Sequence, residues 1–257
     1  KSDSAFLSNL NIGKKWMEHP ILSVGYFIPH EKLENKIKKE NFINIIPTNK
    51  NLFENKINNV RLKLFLFENN HEQKDKHKEM LREFLCLAPN FSRKIIKNFF
   101  KKDLNCVGGI VAFCEQLPDN NNKVTLSKNE IDKFGVPKTS LYWTVQDNLK
   151  VSLKKTLDLL SDDFIDSDMG RIGLNEFIYD PKVQLPEKID GGYHHMGGTP
   201  MGNHSDTSIC DKNLRVHGLK NLFIAGSSTF PTGSHANPTY HIVRLSLRLA
   251  KYLSELV

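Results

Sequence analysis

Glycine and histidine are concentrated in one short segment, GGYHHMGGTPMG, at residues 191–202. Five of its twelve residues are glycines, and they surround the adjacent pair His194 and His195. Glycine costs conformational entropy on folding, so such a cluster is favoured where a ligand approaches the main chain or where φ must be positive. The segment therefore predicts a loop at a functional site, in which the histidines serve packing, metal chemistry or acid–base chemistry.

Length and composition indicate a globular protein of one or two domains. The chain has 257 residues, of which 39% are hydrophobic and 25% charged. No apolar run is long enough to span a membrane, and the first residues have no apolar core of the signal-peptide kind. We therefore expect a soluble protein of undetermined compartment, with the cytoplasm slightly favoured.

Charge and cysteine spacing disfavour two classes of partner. The net charge of +7 comes from lysines scattered through sequence rich in asparagine and isoleucine, without a nucleic-acid motif. None of the four cysteines, Cys86, Cys106, Cys114 and Cys210, forms a CxxC pair. Adjacent histidine side chains diverge, and no carboxylate or cysteine near them has ligand-like spacing. We therefore expect neither a nucleic-acid partner nor a metal site.

Hydrophobic patterning predicts an α+β fold with an antiparallel sheet. Residues 21–68 are expected to form strands with irregular links, of which 60–67 is the clearest, and further strands are predicted at 108–118, 123–128 and 140–146. A helix over 147–165 has four leucines on one face. The charged segment 69–103 predicts a helical insert that is broken at Pro89.

The C-terminal region combines a small-residue loop with a helix start. NLFIAG, at 221–226, predicts a short strand. Gly226 at its end and the following Ser227 and Ser228 would let a ligand lie against the backbone. Asn237 suits a helix N-cap and Pro238 suits the first helical position. The N–H groups and positive dipole end of such a helix favour an anionic group in front of it.

In this order, these features resemble the C-terminal region of the glucose–methanol–choline (GMC) flavin oxidoreductases. That family carries a His-x-x-Gly motif, represented here by HHMGGTPMG, and about forty residues later a small-residue strand and a His-Pro or Asn-Pro pair, represented by ANPT. The resemblance is specific over 190–257 and looser over 105–175. NIGKKWMEHP resembles the segment that closes the family's flavin-binding part.

The resemblance implies FAD as cofactor and the oxidation of a sugar, polyol or other small-molecule alcohol to a carbonyl, with hydride passing to flavin N5. The family's catalytic base aligns with His194, or with His195 if the register shifts by one, and its second active-site residue aligns with Asn237. An imidazole that titrates near neutral pH suits the proton step. The family's cofactor contacts align with Ala225, Gly226, Ser227, Asn237, Pro238 and Thr239.

No GxGxxG sequence occurs in the chain, although the family binds the ADP part of FAD through a βαβ unit with this motif. The resemblance therefore implies the C-terminal half of such an enzyme. Its fold is expected to be an antiparallel-sheet substrate domain with a helical insert, plus the C-terminal strand and helix of an FAD-binding α/β domain whose N-terminal part is absent. That part is expected in cis or as a separate chain.

The expected domains are a flavin-domain tail at 1–20, a substrate-binding domain at 21–185 and a C-terminal flavin and catalytic segment at 186–257. Two other functions remain open. One is a non-catalytic remnant or binding module that keeps the fold without flavin. The other is a protein-interaction module built on residues 69–103, whose charged faces are more typical of a solvated surface.

Overall fold

The structure, a computed structural model, describes residues 11–67 and 108–256. These residues form two compact units. The motif unit comprises residues 11–20, 115–146 and 191–256, and the sheet unit comprises residues 21–114, as far as they are described, and 147–190. The helical insert predicted at 69–103 lies outside the described residues. The predicted division into 1–20, 21–185 and 186–257 assigns roles in a complete enzyme and stays a prediction.

The sheet unit is built on an antiparallel sheet with the strand order β2-β3-β4-β1-β7. The strands are β1 (Pro20–Pro29), β2 (Ile43–Ile45), β3 (Val60–Leu66), β4 (Gly108–Cys114) and β7 (Gly170–Leu174). In β3 the predicted alternation is present, since Val60, Leu62 and Leu64 are buried and the residues between them are partly exposed. The periodicity of this strand therefore reports which side of the sheet carries the core.

Two short helices occupy the segment for which only strands and links were expected. They are α1 (Glu31–Glu40) and α2 (Asn49–Asn55). In α1 only Leu33 and Ile37 are buried, one turn apart, and the remaining residues are polar. Helix α2 begins after Thr48, whose hydroxyl accepts a hydrogen bond from the N–H of Asn51 at 3.2 Å. Helices this short and polar give too little apolar periodicity to be found from the sequence.

Helix α3 (Asn148–Asp166) confirms the helix predicted over 147–165. The four leucines predicted on one face, Leu149, Leu153, Leu157 and Leu160, are all buried. Phe164, further along the helix, meets Phe27 of β1 edge to face with ring centroids 6.3 Å apart. Each fully buried leucine stabilises the unit by roughly 1.5–3 kcal/mol. After α3 the chain forms β7, the short helix α4 (Glu176–Tyr179) and β8 (Asp190–Gly191).

The motif unit contains a two-stranded hairpin, a 3₁₀ turn and one long helix. The hairpin pairs β5 (Lys123–Ile131) with β6 (Pro137–Tyr142), the turn is Ser227–Thr229, and the helix is α5 (Thr239–Ser254). The predicted strand at 221–226 is reduced to a bridge between Arg215 and Phe223. Residues 222–224 are hydrogen-bonded to the loop at residues 214–216, which is too short to extend the ladder.

Helix α5 packs on two small clusters of buried side chains. Met17, Met196 and Phe230 form the first cluster, against which Ile242 and Leu245 pack. Leu249 belongs to the second cluster, together with Cys210 and Leu214. The apolar face predicted for the terminal helix is therefore confirmed as core. No helix within 11–67 and 108–256 is long and apolar enough to cross a bilayer.

Candidate active site

The histidine motif is paired along one side with the N-terminal segment of the motif unit. Met17 and Met196 exchange both of their backbone hydrogen bonds, at 2.8 and 2.9 Å. The N–H of Gly192 donates to the carbonyl of His19 at 3.1 Å. Residues 17–19 therefore run antiparallel to residues 192–196, which brings GKKWMEHP directly against GGYHHMGG.

Along its other side the motif is bonded to the 3₁₀ turn that follows the small-residue segment. Ser227 Oγ donates to the carbonyl of His195 at 2.7 Å. Three backbone bonds continue the pairing: Gly197 N–H to Ser227 O at 3.1 Å, Thr199 N–H to Ser228 O at 3.0 Å, and Met201 N–H to Thr229 O at 2.8 Å. Two segments that the sequence separates by about thirty residues therefore form one hydrogen-bonded layer.

Glycine is required in this layer for two different reasons. Gly197 has a φ of +74°, and a Cβ there would overlap the carbonyl oxygen of Lys15. The close approach that the sequence predicted is made at this position by the protein's own backbone. Gly226 has a φ of +114°, and a Cβ there would meet no atom within 4 Å. Glycine at 226 therefore permits the left-handed turn and leaves open space beside the main chain.

Glu18 is a buried carboxylate that reaches both motif histidines. Its Oε1 accepts hydrogen bonds from the backbone N–H groups of His19, at 2.7 Å, and His194, at 2.9 Å. Its Oε2 lies 3.4 Å from Nε2 of His195. Sequence reasoning did not identify Glu18 as part of the site, because no motif or spacing relates residue 18 to residues 194 and 195.

The segment that carries Glu18 is itself anchored by the buried side chain of Gln116 and by the backbone of Asn122. The backbone N–H of Glu18 donates to Oε1 of Gln116 at 3.0 Å, and the same oxygen accepts from the indole N–H of Trp143 at 3.0 Å. The N–H of Trp16 donates to the carbonyl of Asn122 at 3.0 Å. Residues 115–146 thus fix the position of residues 16–18, and this segment in turn pairs with the histidine motif.

His194 meets a second histidine that sequence reasoning also missed. Nδ1 of the half-buried His194 lies 3.1 Å from Nδ1 of the buried His19, with the rings nearly perpendicular. Burial lowers the pKa of His19, and the nearby His194 lowers it further. The backbone carbonyls of Gly233 and Ser234 and the carboxylate of Glu18 oppose this shift only in part. His19 is therefore held neutral beside His194.

His195 faces a different environment from His194. Its side chain is 64% exposed, and its ring lies 5.3 Å from the ring of Trp16. It lines a cleft of about 370 Å³ whose walls also include Trp16, Gly197, Gly198, Thr199, Ser227 and Ser228. The two motif histidines thus diverge, as predicted for adjacent side chains. Within the described parts of the chain, no group of three histidine, cysteine or acidic side chains could hold a metal ion.

Asn237, Pro238 and Thr239 lie at the start of α5, as the sequence predicted. Pro238 has helical dihedral angles, and the first helical hydrogen bond runs from Ile242 N–H to its carbonyl at 3.0 Å. The predicted capping by Asn237 is not present: its amide is exposed and forms no hydrogen bond with any described residue. The helix instead starts on the fixed φ of Pro238. No hydrogen bond joins Asn237 to His194.

The donors and spaces of the motif unit fit the FAD that the family resemblance implies. Glycines, small side chains and the flat ring of Trp16 line the cleft beside His195, and the buried hydroxyl of Thr199, which also lines it, has no partner among the described residues. Ala225 is exposed and Gly226 borders open space. At the start of α5 three N–H groups lack an intrahelical acceptor, which suits a negatively charged ligand.

Comparison with known proteins agrees with the family resemblance. The family model described as GMC oxidoreductase matches residues 118–246, half of the chain. The large subunit of fructose dehydrogenase from Gluconobacter japonicus is 32% identical over 141 residues, which are 55% of this chain and 24% of that protein. A C-glycoside 3-oxidase from Microbacterium trichothecenolyticum is 27% identical over 150 residues, 57% of this chain and 27% of that protein.

A solved structure shows a similar fold at low sequence identity. A formate oxidase superposes with a TM-score of 0.50 at 12% identity, over 94% of this chain and 47% of that one. The mixed helix and antiparallel-sheet fold expected from the sequence is thereby confirmed. The matched segments amount to only about a quarter of the curated relatives' length. Because the family model nevertheless covers half of the chain, including both motif segments, this chain belongs to the GMC oxidoreductases.

Proposed function

We propose that this chain carries the substrate-binding and catalytic part of an FAD-dependent oxidoreductase that converts a CH–OH group to a carbonyl. The observation that carries the proposal is the hydrogen-bonded layer formed by the histidine motif and residues 227–229. This layer brings together the segment of the proposed base and the segment of the proposed cofactor contacts. The proposed substrate is a sugar, polyol or other alcohol, which agrees with the names of the fructose and C-glycoside enzymes.

His194 is the proposed base, and Asn237 is the proposed hydrogen-bonding partner of the same substrate oxygen. When bound, FAD supplies the acceptor for the hydride that leaves the substrate carbon. His194 removes the hydroxyl proton, a step that suits an imidazole near neutral pH. Asn237 offers an exposed amide that no described residue occupies, so its N–H groups are free to orient the substrate oxygen.

Ala225, Gly226, Ser227, Asn237, Pro238 and Thr239 are the proposed cofactor contacts. The open space beside Gly226 supports this role for the 225–227 segment, since a ligand can lie against the main chain there. The start of α5 supports it for residues 237–239, because its free N–H groups and dipole favour negative charge. Ser227 already uses its hydroxyl to hold His195, so its contact with the cofactor is assigned to its backbone.

A dinucleotide-binding half with GxGxxG, in cis or as a separate chain, is the proposed partner. The exposed side of α5 supports this proposal. Tyr240, Val243 and Leu247 lie along that side and are 70%, 53% and 67% exposed. An apolar stripe of this size on one helix is typical of a surface that another part of the protein covers.

Replacement of His194 tests the proposed base in the FAD-loaded enzyme. His194→Gln is expected to lower kcat/KM by at least about a hundredfold, because the substrate proton loses its acceptor. Steady-state kinetics with an alcohol or sugar substrate measure the loss, and the flavin absorption band reports whether cofactor is retained.

Two further variants make this result specific. His204→Gln changes an exposed loop histidine and is the matched control, with a rate close to that of the unmodified enzyme. A large loss in His195→Gln with no loss in His194→Gln would move the base by one position. No loss in either variant would contradict a histidine base in this motif.

A further inference from the structure

We propose that His19 is a positioning residue for His194: it accepts the Nδ1–H of His194 and thereby leaves the lone pair on Nε2 of His194 to receive the substrate proton. The inference rests on the proposed function, in which His194 is the base. It assigns a purpose to a buried histidine that lies 175 positions away in the sequence.

The geometry of the two rings carries the inference. Their Nδ1 atoms are 3.1 Å apart, which is a hydrogen-bond distance between two nitrogen atoms. A neutral imidazole has one N–H and one lone pair, so a bond between these atoms requires a proton on only one of them. Two imidazolium rings would direct two N–H groups at each other, so the pair holds at most one positive charge.

The surroundings of His19 favour His194 as the donor of this hydrogen bond. Its Nδ1 is directed at His194, so Nε2 is the nitrogen left for the backbone carbonyls of Gly233 and Ser234, which lie near enough to raise its pKa. Those carbonyls only accept hydrogen bonds. No donor within the described residues reaches Nε2, and no hydrogen bond of normal geometry forms there. The proposal places the proton of His19 on Nε2, on the side of these carbonyls, so that its Nδ1 lone pair accepts from His194.

Glu18 raises the pKa of His19 but does not outweigh the effect of burial. Burial and the neighbouring His194 keep His19 neutral. Glu18 accepts through Oε1 from the backbone N–H groups of His19 and His194, which fixes the main chain that carries the two rings. Oε1 of Glu115 accepts from the N–H of Ser234 at 3.1 Å. His195 is directed at the other oxygen of Glu18.

The proton balance of the proposed step follows from this tautomer. The O–H bond of the substrate breaks and an N–H bond forms at Nε2 of His194. The resulting imidazolium still donates its Nδ1–H to His19, so no second proton moves. A His194 with the opposite tautomer would direct an N–H at the substrate and could not accept its proton.

Long-range ¹H–¹⁵N spectra of the full 257-residue chain, labelled with ¹⁵N-histidine, test the tautomer directly. The His194 signals are those that disappear in His194→Gln. We expect His194 to be protonated on Nδ1 in the unmodified chain. Protonation on Nε2 instead would overturn the proposal.

Two replacements of His19 separate positioning from packing. His19→Asn keeps a hydrogen-bond acceptor near the position of Nδ1, and His19→Phe keeps a flat ring without one. The Nδ1–H tautomer of His194 should persist in His19→Asn and give way to a mixture of tautomers in His19→Phe. An unchanged tautomer in His19→Phe would overturn the proposal. If His19→Phe does not fold, the spectra of the unmodified chain and His19→Asn still decide.

Kinetics of the FAD-loaded enzyme distinguish this inference from the function on which it rests. His19→Phe should lower kcat/KM by about tenfold to a hundredfold with the flavin absorption unchanged, and His19→Asn should restore most of the rate. Full turnover in His194→Gln would refute the proposed base, whatever the tautomer. A dependence of turnover on His194 together with an Nε2–H tautomer would refute the role of His19 alone.

Discussion

At the scale of single residues, Glu18 connects the two histidines of the motif. One of its oxygens accepts from two backbone N–H groups, and the other lies beside His195. Burying a carboxylate costs free energy unless hydrogen-bond donors such as these satisfy it. In return, Glu18 fixes the backbone at His19 and His194.

Replacement of Glu18 by glutamine should destabilise the chain. The amide keeps the shape of the side chain but lacks the charge that strengthens both backbone hydrogen bonds, and we expect a loss of about 1–3 kcal/mol in the free energy of unfolding. Urea denaturation measures it. Glu130→Gln is the matched control, because Glu130 forms an exposed ion pair with Lys138 and its loss should cost less than about 1 kcal/mol. Equal effects of the two variants would contradict the structural role of Glu18.

His19 should make the stability of the chain depend on pH. Its pKa is lowered in the folded protein, mainly by burial, so the unfolded chain binds the proton more readily. The stabilisation is therefore fully present above about pH 6.5, the ordinary histidine value, and is lost as the pH falls towards the lowered pKa. When the pH is lowered from 7 to 5, the urea concentration at the unfolding midpoint should decrease by more in the unmodified chain than in His19→Phe. Parallel pH curves would show that His19 does not contribute.

The residues of the site divide clearly into those that sequence could suggest and those it could not. The family resemblance, which rests on motifs of local spacing, implies the roles of His194 and Asn237, and these catalytic roles stay predictions. Glu18 and His19 reach the motif only because residues 17–19 pair with residues 192–196. Backbone pairing across such a separation leaves no trace in local spacing, and a single sequence gives no second source for it.

At the scale of elements, apolar periodicity found the structures that bury a regular face. It predicted β3, α3 and the packed face of α5, where buried residues recur every second or every third and fourth position. It missed α1 and α2, which bury two residues and none. The strand predicted at 221–226 came from a short apolar run without periodicity. It forms only one bridge, because a strand needs a neighbour that can complete the ladder.

Two leucines on α5 should show how its faces differ. Leu249 lies in the cluster with Cys210 and Leu214, whereas Leu247 is exposed on the same helix. Leu249→Ala should lower the free energy of unfolding by about 2–5 kcal/mol, because it leaves a cavity in a packed cluster. Leu247→Ala, with the same change in helix propensity, should stay within about 0.5 kcal/mol. Urea denaturation compares them, and a similar loss in both would contradict the assigned faces.

At the scale of the whole molecule, the chain belongs to a flavin family but has no phosphate-binding GxGxxG motif. The proposed function assigns the hydrogen-bonded layer of the histidine motif to the reacting end of the flavin, and the last helix has an exposed apolar side. Both features agree with a site that two protein parts complete, one of which supplies the pyrophosphate contacts. The proposed partner half would thus add affinity for FAD, while this chain would add the base and the substrate contacts.

Retention of FAD should therefore depend on the exposed side of α5. When the chain is isolated from its host through a C-terminal tag, we expect flavin absorption only where a GxGxxG-bearing half is present, in the same polypeptide or bound to it. Val243→Glu combined with Leu247→Glu should weaken that association and lower the flavin content by at least about tenfold, because two charges would be buried against the partner. Val151→Glu, on an equally exposed apolar position of α3, is the matched control and should leave the flavin content unchanged. FAD retained in full by this chain alone would show that the motif unit holds the cofactor without a second half, and the proposed partner would then be wrong.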